Sequence, residues 1–427
     1  MQRLPSVKVS GDTNGRKDLI EQQFLWFAFF NFFLVSLIGL FLRSFLYIST
    51  SLNYKYVLHG HSHFAFGGWI MPVLTYTIMH YFPAVKETVA YKHWRNIFLL
   101  MMFSAYGMLL TFPFEGYATG SIIFSTLSVA AGVYLSICVS KALRRGTSSY
   151  SEKFLQAGIV YLLISSIGPF ATGPIAATAG PQSTLFTDAI YYFLHFQYNG
   201  FFSFVVLAVW YRLFERGKVV RHGKTAFTLF NIACIPTYFL SILWHQPGII
   251  CNVVGGAGAL LQVVGVFFVM KDFNALKSPR GFVRLLMNIA LVALVMKVVL
   301  QLASAFPLVA DIAYHHRNFI IAYLHLVLLG FISLLAIGFI LHSRPGLNKL
   351  GFKVGTTIFI SSILITNLLL ALQAMGETLH FYIPQFTFYM WATSILFPAS
   401  IAIMLIHVSS KAGIQLPAEK SSITTSA

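Results

Sequence analysis

Charged side chains are scarce in this chain: only 10% of its 427 residues are Asp, Glu, Lys or Arg, and just 12 of them are acidic. A soluble domain carries about 25% charged residues, so a water-coated globule of this length is excluded. Cysteine is nearly absent as well. Cys138, Cys234 and Cys251 form no CxxC or CxxCH pattern, which excludes a disulfide framework, a zinc ribbon and covalently attached c-type haem. These three read as small apolar residues. What abounds is hydrophobic: 57% of the chain, including 42 Phe, with a mean hydropathy of +0.75. The bilayer is the expected solvent.

A helix needs about 20 apolar residues to cross the hydrocarbon core, and only a backbone bonded within its own segment can do so. Twelve segments satisfy that ruler: residues 24–49, 57–82, 94–114, 117–140, 154–173, 186–211, 225–244, 250–270, 283–307, 317–342, 352–374 and 384–408. They predict an all-α polytopic membrane domain over residues 24–408, flanked by cytoplasmic tails of residues 1–23 and 409–427. The first run is far longer than a signal-peptide core and is expected to be a helix. With the loops numbered alternately, 25 of the 29 Lys and Arg fall on one side. The other side receives only Arg43, Lys55 and Arg317, while Lys297 lies inside the ninth segment. The positive-inside rule accounts for this bias with twelve spans and both termini cytoplasmic, as in a protein of the cell's inner membrane. The +17 formal charge is then a topology signal, and nucleic acid is not an expected partner.

The fourteen histidines sort by depth. His80, His93, His222, His342 and His407 stand near the basic ends as interfacial anchors. His59, His61, His63, His195, His245, His315, His316, His325 and His380 lie toward the opposite ends. Ionisable groups at membrane depth are costly and normally face the bundle interior in functional roles. His63 follows Lys55 by eight residues, His195 follows Asp188 by seven and His325 follows Arg317 by eight, which puts all three roughly 10–12 Å into their helices. They also share a pattern, His-x4-Gly-aromatic: His63 to Gly68-Trp69, His195 to Gly200-Phe201 and His325 to Gly330-Phe331. The three fall on the second, sixth and tenth segments, which predicts a pseudo-threefold bundle of three four-helix arcs. A glycine one turn below the histidine lets a flat ligand lie against the helix. Imidazoles projecting from facing helices suit a metal or haem site, and bis-histidine haem ligation needs one ring from each of two helices with an aromatic slot between. Glu115, Asp188, Asp311 and Glu377 are the only acids on this side, which excludes a carboxylate di-iron centre and an HExxH hydrolase.

Taken together, these features resemble subunit I of the haem-copper oxidase superfamily, the large subunits of cytochrome oxidases and nitric oxide reductases. The run Ala322-Tyr323-Leu324-His325 through Gly330 is similar to the Ala-His-x-His of the family's tenth helix. The resemblance makes His325 a low-spin haem ligand and puts Tyr323 where a high-spin haem ligand stands. His59-Gly60-His61-Ser62-His63-Phe64-Ala65-Phe66-Gly67-Gly68 resembles the second helix of the cbb-type oxidases. Spacing to Met71-Pro72 selects His61 as the second ligand; depth and the internal repeat favour His63, with His59 one turn above on the same face. His195 through Asn199-Gly200 resembles the His-Leu-Trp-Val-Glu-Gly of nitric oxide reductases, giving His195 the place of a copper or non-haem-iron ligand and Asn199 that of the glutamate. The family's histidine pair on the seventh helix is reduced here to His245, between Trp244 and Gln246. Arg317, with His315 or His316, is the expected partner of haem propionates through charge-assisted hydrogen bonds.

The resemblance implies a divergent subunit I with an incomplete binuclear centre, a membrane b-type haem protein carrying electrons in a respiratory or redox chain. One haem b is expected, with a second haem and a copper or non-haem iron as further candidates. The implied partners are an electron donor such as quinol or a cytochrome, and further membrane subunits. Three other readings stand beside it: an oxygen or nitric oxide reductase with an unusual binuclear centre, a twelve-helix transporter, and a histidine-lined copper or zinc site without haem. Transporters are usually built from two six-helix halves, whereas the repeat here steps by four helices.

Overall fold

The computed structural model describes residues 11–143, 149–216, 220–275 and 279–410. The predicted tail residues 1–10 and 411–427 lie outside the described residues, as do Arg144, Arg145, Lys218 and Lys277 of the basic loops. All regular structure among the described residues is helical. Eleven helices among the described residues are long and apolar enough to cross a membrane, which makes this a multi-pass membrane protein.

In chain order the helices are α1 (Gly11–Ser44), α2 (residues 54–81), α3 (Tyr91–Glu115), α4 (Thr119–Leu143), α5 (Tyr150–Thr178) and α6 (Thr184–Glu215). They continue with α7 (Gly223–His245), α8 (Ile249–Ala275), α9 (Gly281–Ala303), α10 (Arg317–Ser343), α11 (Leu350–Leu379) and α12 (Phe386–Ser409). Each overlies one of the predicted segments. The first begins ahead of the predicted span, so residues 11–23 of the expected tail are helical. The run α2 is not among the eleven candidate spans; its three histidines and paired glycines dilute its hydropathy.

Neighbours in sequence are mostly neighbours in space, and α12 returns to pack on α1. Inside this enclosure the second halves of α2, α6 and α10 pack against one another. Residues Met71–Tyr81 of α2 are buried except His80, and Leu334–Leu341 of α10 are buried throughout. The first halves are different. Tyr54–Phe64 buries only Val57, Gly60 and Phe64, Thr184–His195 buries only Ala189 and His195, and Arg317–His325 buries no residue fully. The three helices are sealed at the basic end and keep accessible surface at the histidine end.

Between the two halves each central helix passes through a π-helical segment: Ala65–Ile70, Phe196–Phe202 and Leu326–Ser333. All three begin within two residues of the histidine in the repeat and contain its glycine. A π turn widens the helix and misaligns carbonyls that an α-helix would use, and such turns are common at functional sites. In a bilayer those carbonyls need internal partners. Ser203 and Ser333 hydroxyls donate back to the Tyr198 and Leu328 carbonyls at 2.6 and 2.7 Å. In α2 the Gly68 carbonyl accepts from Asn31 Nδ2 of α1 at 2.8 Å, and Tyr106 of α3 holds Asn31 Oδ1 at 2.7 Å. Trp69 then donates to Ser333 Oγ at 2.8 Å, tying α2 to α10, with its ring stacked on Phe32 at 4.0 Å.

Ser333→Ala leaves both the Trp69 indole N–H and the Leu328 carbonyl without this hydroxyl, at a cost of about 1–3 kcal/mol per buried orphan. Trp69→Phe removes only the donor and costs less. Thermal melts of the detergent-solubilised protein should rank wild type above Trp69→Phe and Trp69→Phe above Ser333→Ala; coincident melts would show that the tie is dispensable.

At the basic end the loop after α2 is clasped to α1. Lys86 donates to Asp18 at 2.5 Å and to Glu21, whose other oxygen is 2.9 Å from His80 Nδ1. Burial opposes the Lys86 ammonium, but Glu21 and Asp18 more than offset it and its pKa lies above the ordinary 10.5. A raised folded-state pKa adds stability that is fully present below the unfolded value and fades as pH climbs through the folded one. The stability gap between wild type and Lys86→Met should therefore stay level up to pH 10.5 and narrow above it.

Candidate functional site

Two imidazoles stand apart by one ring nitrogen each. His61 on α2 and His325 on α10 each carry a buried Nδ1 with no hydrogen bond. The rings are electrostatic neighbours of each other and of Arg43 at the end of α1, and the Val35 carbonyl lies beside the His61 ring. Glycine lets α1 pass close by: a Cβ at Gly39 would sit 3.3 Å from His61 Cε1. Although α2 and α10 are tied at Trp69 and Ser333, their histidine-bearing halves pack chiefly on other helices, α2 on α3 and α10 on α11. Buried polar atoms are nearly always hydrogen-bonded, so an unbonded Nδ1 on each of two neighbouring imidazoles suits a ligand that takes one nitrogen from each.

The charges around this pair are one-signed. Arg317 at the start of α10 and Lys55 are electrostatic neighbours of His59. The four acids at this end are engaged elsewhere. Asp188 accepts from Trp244 at 3.1 Å and meets His245 Nε2 at 3.0 Å. Asp311 lies 3.4 Å from His315, Glu377 is 3.0 Å from His316, and Glu115 accepts from the Ser121 backbone at 2.5 Å. Among the described residues neither Arg43 nor Arg317 joins a salt bridge. Arg43 beside His61 and His325, and Arg317 beside His59, give this end a positive charge that suits an anionic ligand.

The remaining predicted residues are placed differently. His63 turns toward α3: its Nε2 is 2.8 Å from Tyr117 Oη, and its ring stacks on Phe112 at 4.4 Å. His195 is fully buried and already occupied. Its Nε2 is 2.8 Å from the Cys234 carbonyl, while Asn199 Nδ2 and Ser241 Oγ lie 3.1 and 3.4 Å from Nδ1. The local cause is in α7, where Pro236–His245 runs as a 3-10 helix and the Tyr238 N–H bonds to the Ile235 carbonyl at 3.1 Å, so that the Cys234 carbonyl receives His195 and the Thr237 hydroxyl instead. His245 belongs to the Asp188 pair, on the far side of Trp244. Tyr323 faces Tyr198 with ring centroids 6.5 Å apart. Lys297, 2% exposed, donates to Gln301 at 3.0 Å and Gln262 at 3.3 Å. No three His, Cys, Asp or Glu side chains cluster around a common point among the described residues.

Arg43, Asn31, Ser333 and Tyr117 were not among the residues that the sequence singled out. Asn31 did carry a signal, as the one amide within the aromatic run of α1; the others became legible only through their neighbours. Protein-family models and curated proteins both return no match to the chain.

His195 is read here as a structural cross-link between α6 and α7. His195→Leu strands the Asn199 amide and removes the imidazole from the Cys234 carbonyl, for a loss of about 1–3 kcal/mol, measured as a lower melting temperature. An unchanged melt would mean that its hydrogen bonds contribute nothing net.

Proposed function

We propose that this protein is a membrane b-type haem protein that carries electrons, with His61 and His325 as the two axial ligands of a single haem. The observation that carries the reading is the pair of buried, unbonded Nδ1 atoms of His61 on α2 and His325 on α10, with Arg43 as their shared cationic neighbour. In this reading α2 is a twelfth span, and the helices form three groups of four in which α2, α6 and α10 occupy equivalent inner positions. The basic end and both termini face the cytoplasm, in the inner membrane.

The residues present fit the group. Haem needs one nitrogen from each of two helices, an aromatic apolar surround and cations for its propionates; His61, His325, the Phe-rich neighbourhood of the π segments, Arg43 and Arg317 answer each need. When bound, haem supplies a reversible one-electron couple. The chain's part is to hold two imidazoles at fixed separation, so that little reorganises when charge changes, and to balance the anionic edge with Arg43 and Arg317. Sealed packing at the basic end keeps water out of the site from below. His195, with both ring nitrogens taken by protein groups, favours electron transfer over oxygen or nitric oxide reduction. The resemblance to subunit I proteins points to a quinol or a cytochrome as donor and to companion membrane subunits.

Purified protein should show a Soret band that sharpens and shifts on dithionite, and a pyridine haemochrome of the b type at one haem per chain. His61→Ala and His325→Ala should each abolish it, His63→Ala should keep it, and carbon monoxide should leave the reduced spectrum unchanged because no axial position is open. A colourless wild type would reject the haem, and a carbon monoxide adduct would reject the six-coordinate assignment.

A further inference from the structure

His59 and His63 are left over from the haem reading, and they are not scattered. They stand four residues apart on α2, which places both rings on one face, one above the other. Asn53 caps the helix just before them, accepting from the backbone N–H groups of Lys55 and Tyr56, so this turn is well formed. Both rings converge on Tyr117, from the connection after α3. His63 Nε2 lies 2.8 Å from Tyr117 Oη, and the His59 and Tyr117 rings meet edge to face at 4.8 Å. Phe112 stacks on His63 at an interplanar angle of 11° and stands 6.3 Å from His59, which holds the upper ring pair in register. Tyr117 is 54% exposed, so the cluster opens to the surface.

We propose that His59, His63 and Tyr117 form a binding site for a divalent transition-metal ion, zinc or copper. Two histidines at i and i+4 on a helix chelate such an ion, and imidazole is a preferred ligand of both metals. With metal–donor distances near 2.0–2.1 Å, neighbouring donors of a tetrahedral site stand roughly 3.3 Å apart. The His63 nitrogen and Tyr117 oxygen are already close to that separation, so the ion enters with small movement. Among the described residues no third His, Cys, Asp or Glu joins the pair; the phenol oxygen is the third donor and water the fourth. Lys55 and Arg317 lie near His59, and their repulsion limits affinity for a cation.

The proposal rests on the haem reading in one respect, that His61 and not His63 serves the haem. The test is a titration of chelator-stripped full-length protein with Zn2+ against a fluorescent indicator, and with Cu2+ by electron paramagnetic resonance. One ion should bind per chain. His59→Ala and His63→Ala should each weaken it by more than the roughly 10–100-fold that losing a mere supporting partner costs. Tyr117→Phe should weaken it less, Lys55→Gln should tighten it, and the Soret band should be unchanged throughout. No stoichiometric binding, or binding indifferent to both histidine substitutions, overturns the site. Loss of the Soret band in His63→Ala also overturns it, by giving that ring to haem, whereas a haem-free wild type that still binds one ion through His59 and His63 rejects only the haem.

Discussion

In a bilayer no water reaches the hydrocarbon core to repair an open backbone, and three helices at the centre of this protein are opened on purpose. The π segments of α2, α6 and α10 free carbonyls that their own α-helical ladders would have consumed. Asn31, Ser203 and Ser333 take up that bonding at 2.8, 2.6 and 2.7 Å from Gly68, Tyr198 and Leu328. Two of those repairs reach further. Asn31 brings α1 and α3 to the bulge in α2, and Ser333 receives the Trp69 indole, so that closing a local gap also sets where α2 stands relative to α10.

The asymmetry of the bundle follows from this arrangement. Below the π segments the three helices are almost wholly buried and contact one another; above them they keep accessible surface and the histidines. A functional site in a membrane needs both features at once. The lower half provides a rigid, dry base, and the upper half provides room for groups whose polar atoms have no protein partner. His61 and His325 have such atoms, whereas His195, at the same point in the repeat, has been drawn into hydrogen bonds with α7. One sequence pattern therefore has two outcomes, an imidazole with an unbonded Nδ1 on α10 and a structural link on α6.

Much of this architecture was legible beforehand for simple reasons. Span-length apolar runs report helices because nothing else satisfies the backbone in lipid, and each predicted run is occupied by a helix. The His-x4-Gly-aromatic repeat coincides with all three π segments, although in the sequence it indicated only a common depth and a step of four helices. Its weakness was rotational. Depth put His63 level with His325, but one residue in a helix turns a side chain by about 100°, and two residues decide whether a ring meets α1, as His61 does, or α3, as His63 does. His63 meets Tyr117 and Phe112; His61 shares its surroundings with His325. No count of residues from Lys55 contains that information. Arg43 illustrates the same limit, appearing in the sequence only as one of three cations on the sparsely charged side.

The sequence by itself determined the solvent, the helical class, the position of each helix and the depth of its polar residues, because hydropathy and 1.5 Å per residue are one-dimensional quantities. Only the tertiary structure decided which of those polar residues are free. Whether an imidazole at membrane depth is a ligand or a cross-link depends on what the neighbouring helices offer it: the Cys234 carbonyl, left open by the 3-10 turn of α7, for His195, a phenol for His63, and for His61 and His325 no hydrogen bond to either buried Nδ1. That difference lies in helix rotation and packing, where a few ångströms determine whether a nitrogen is already bonded.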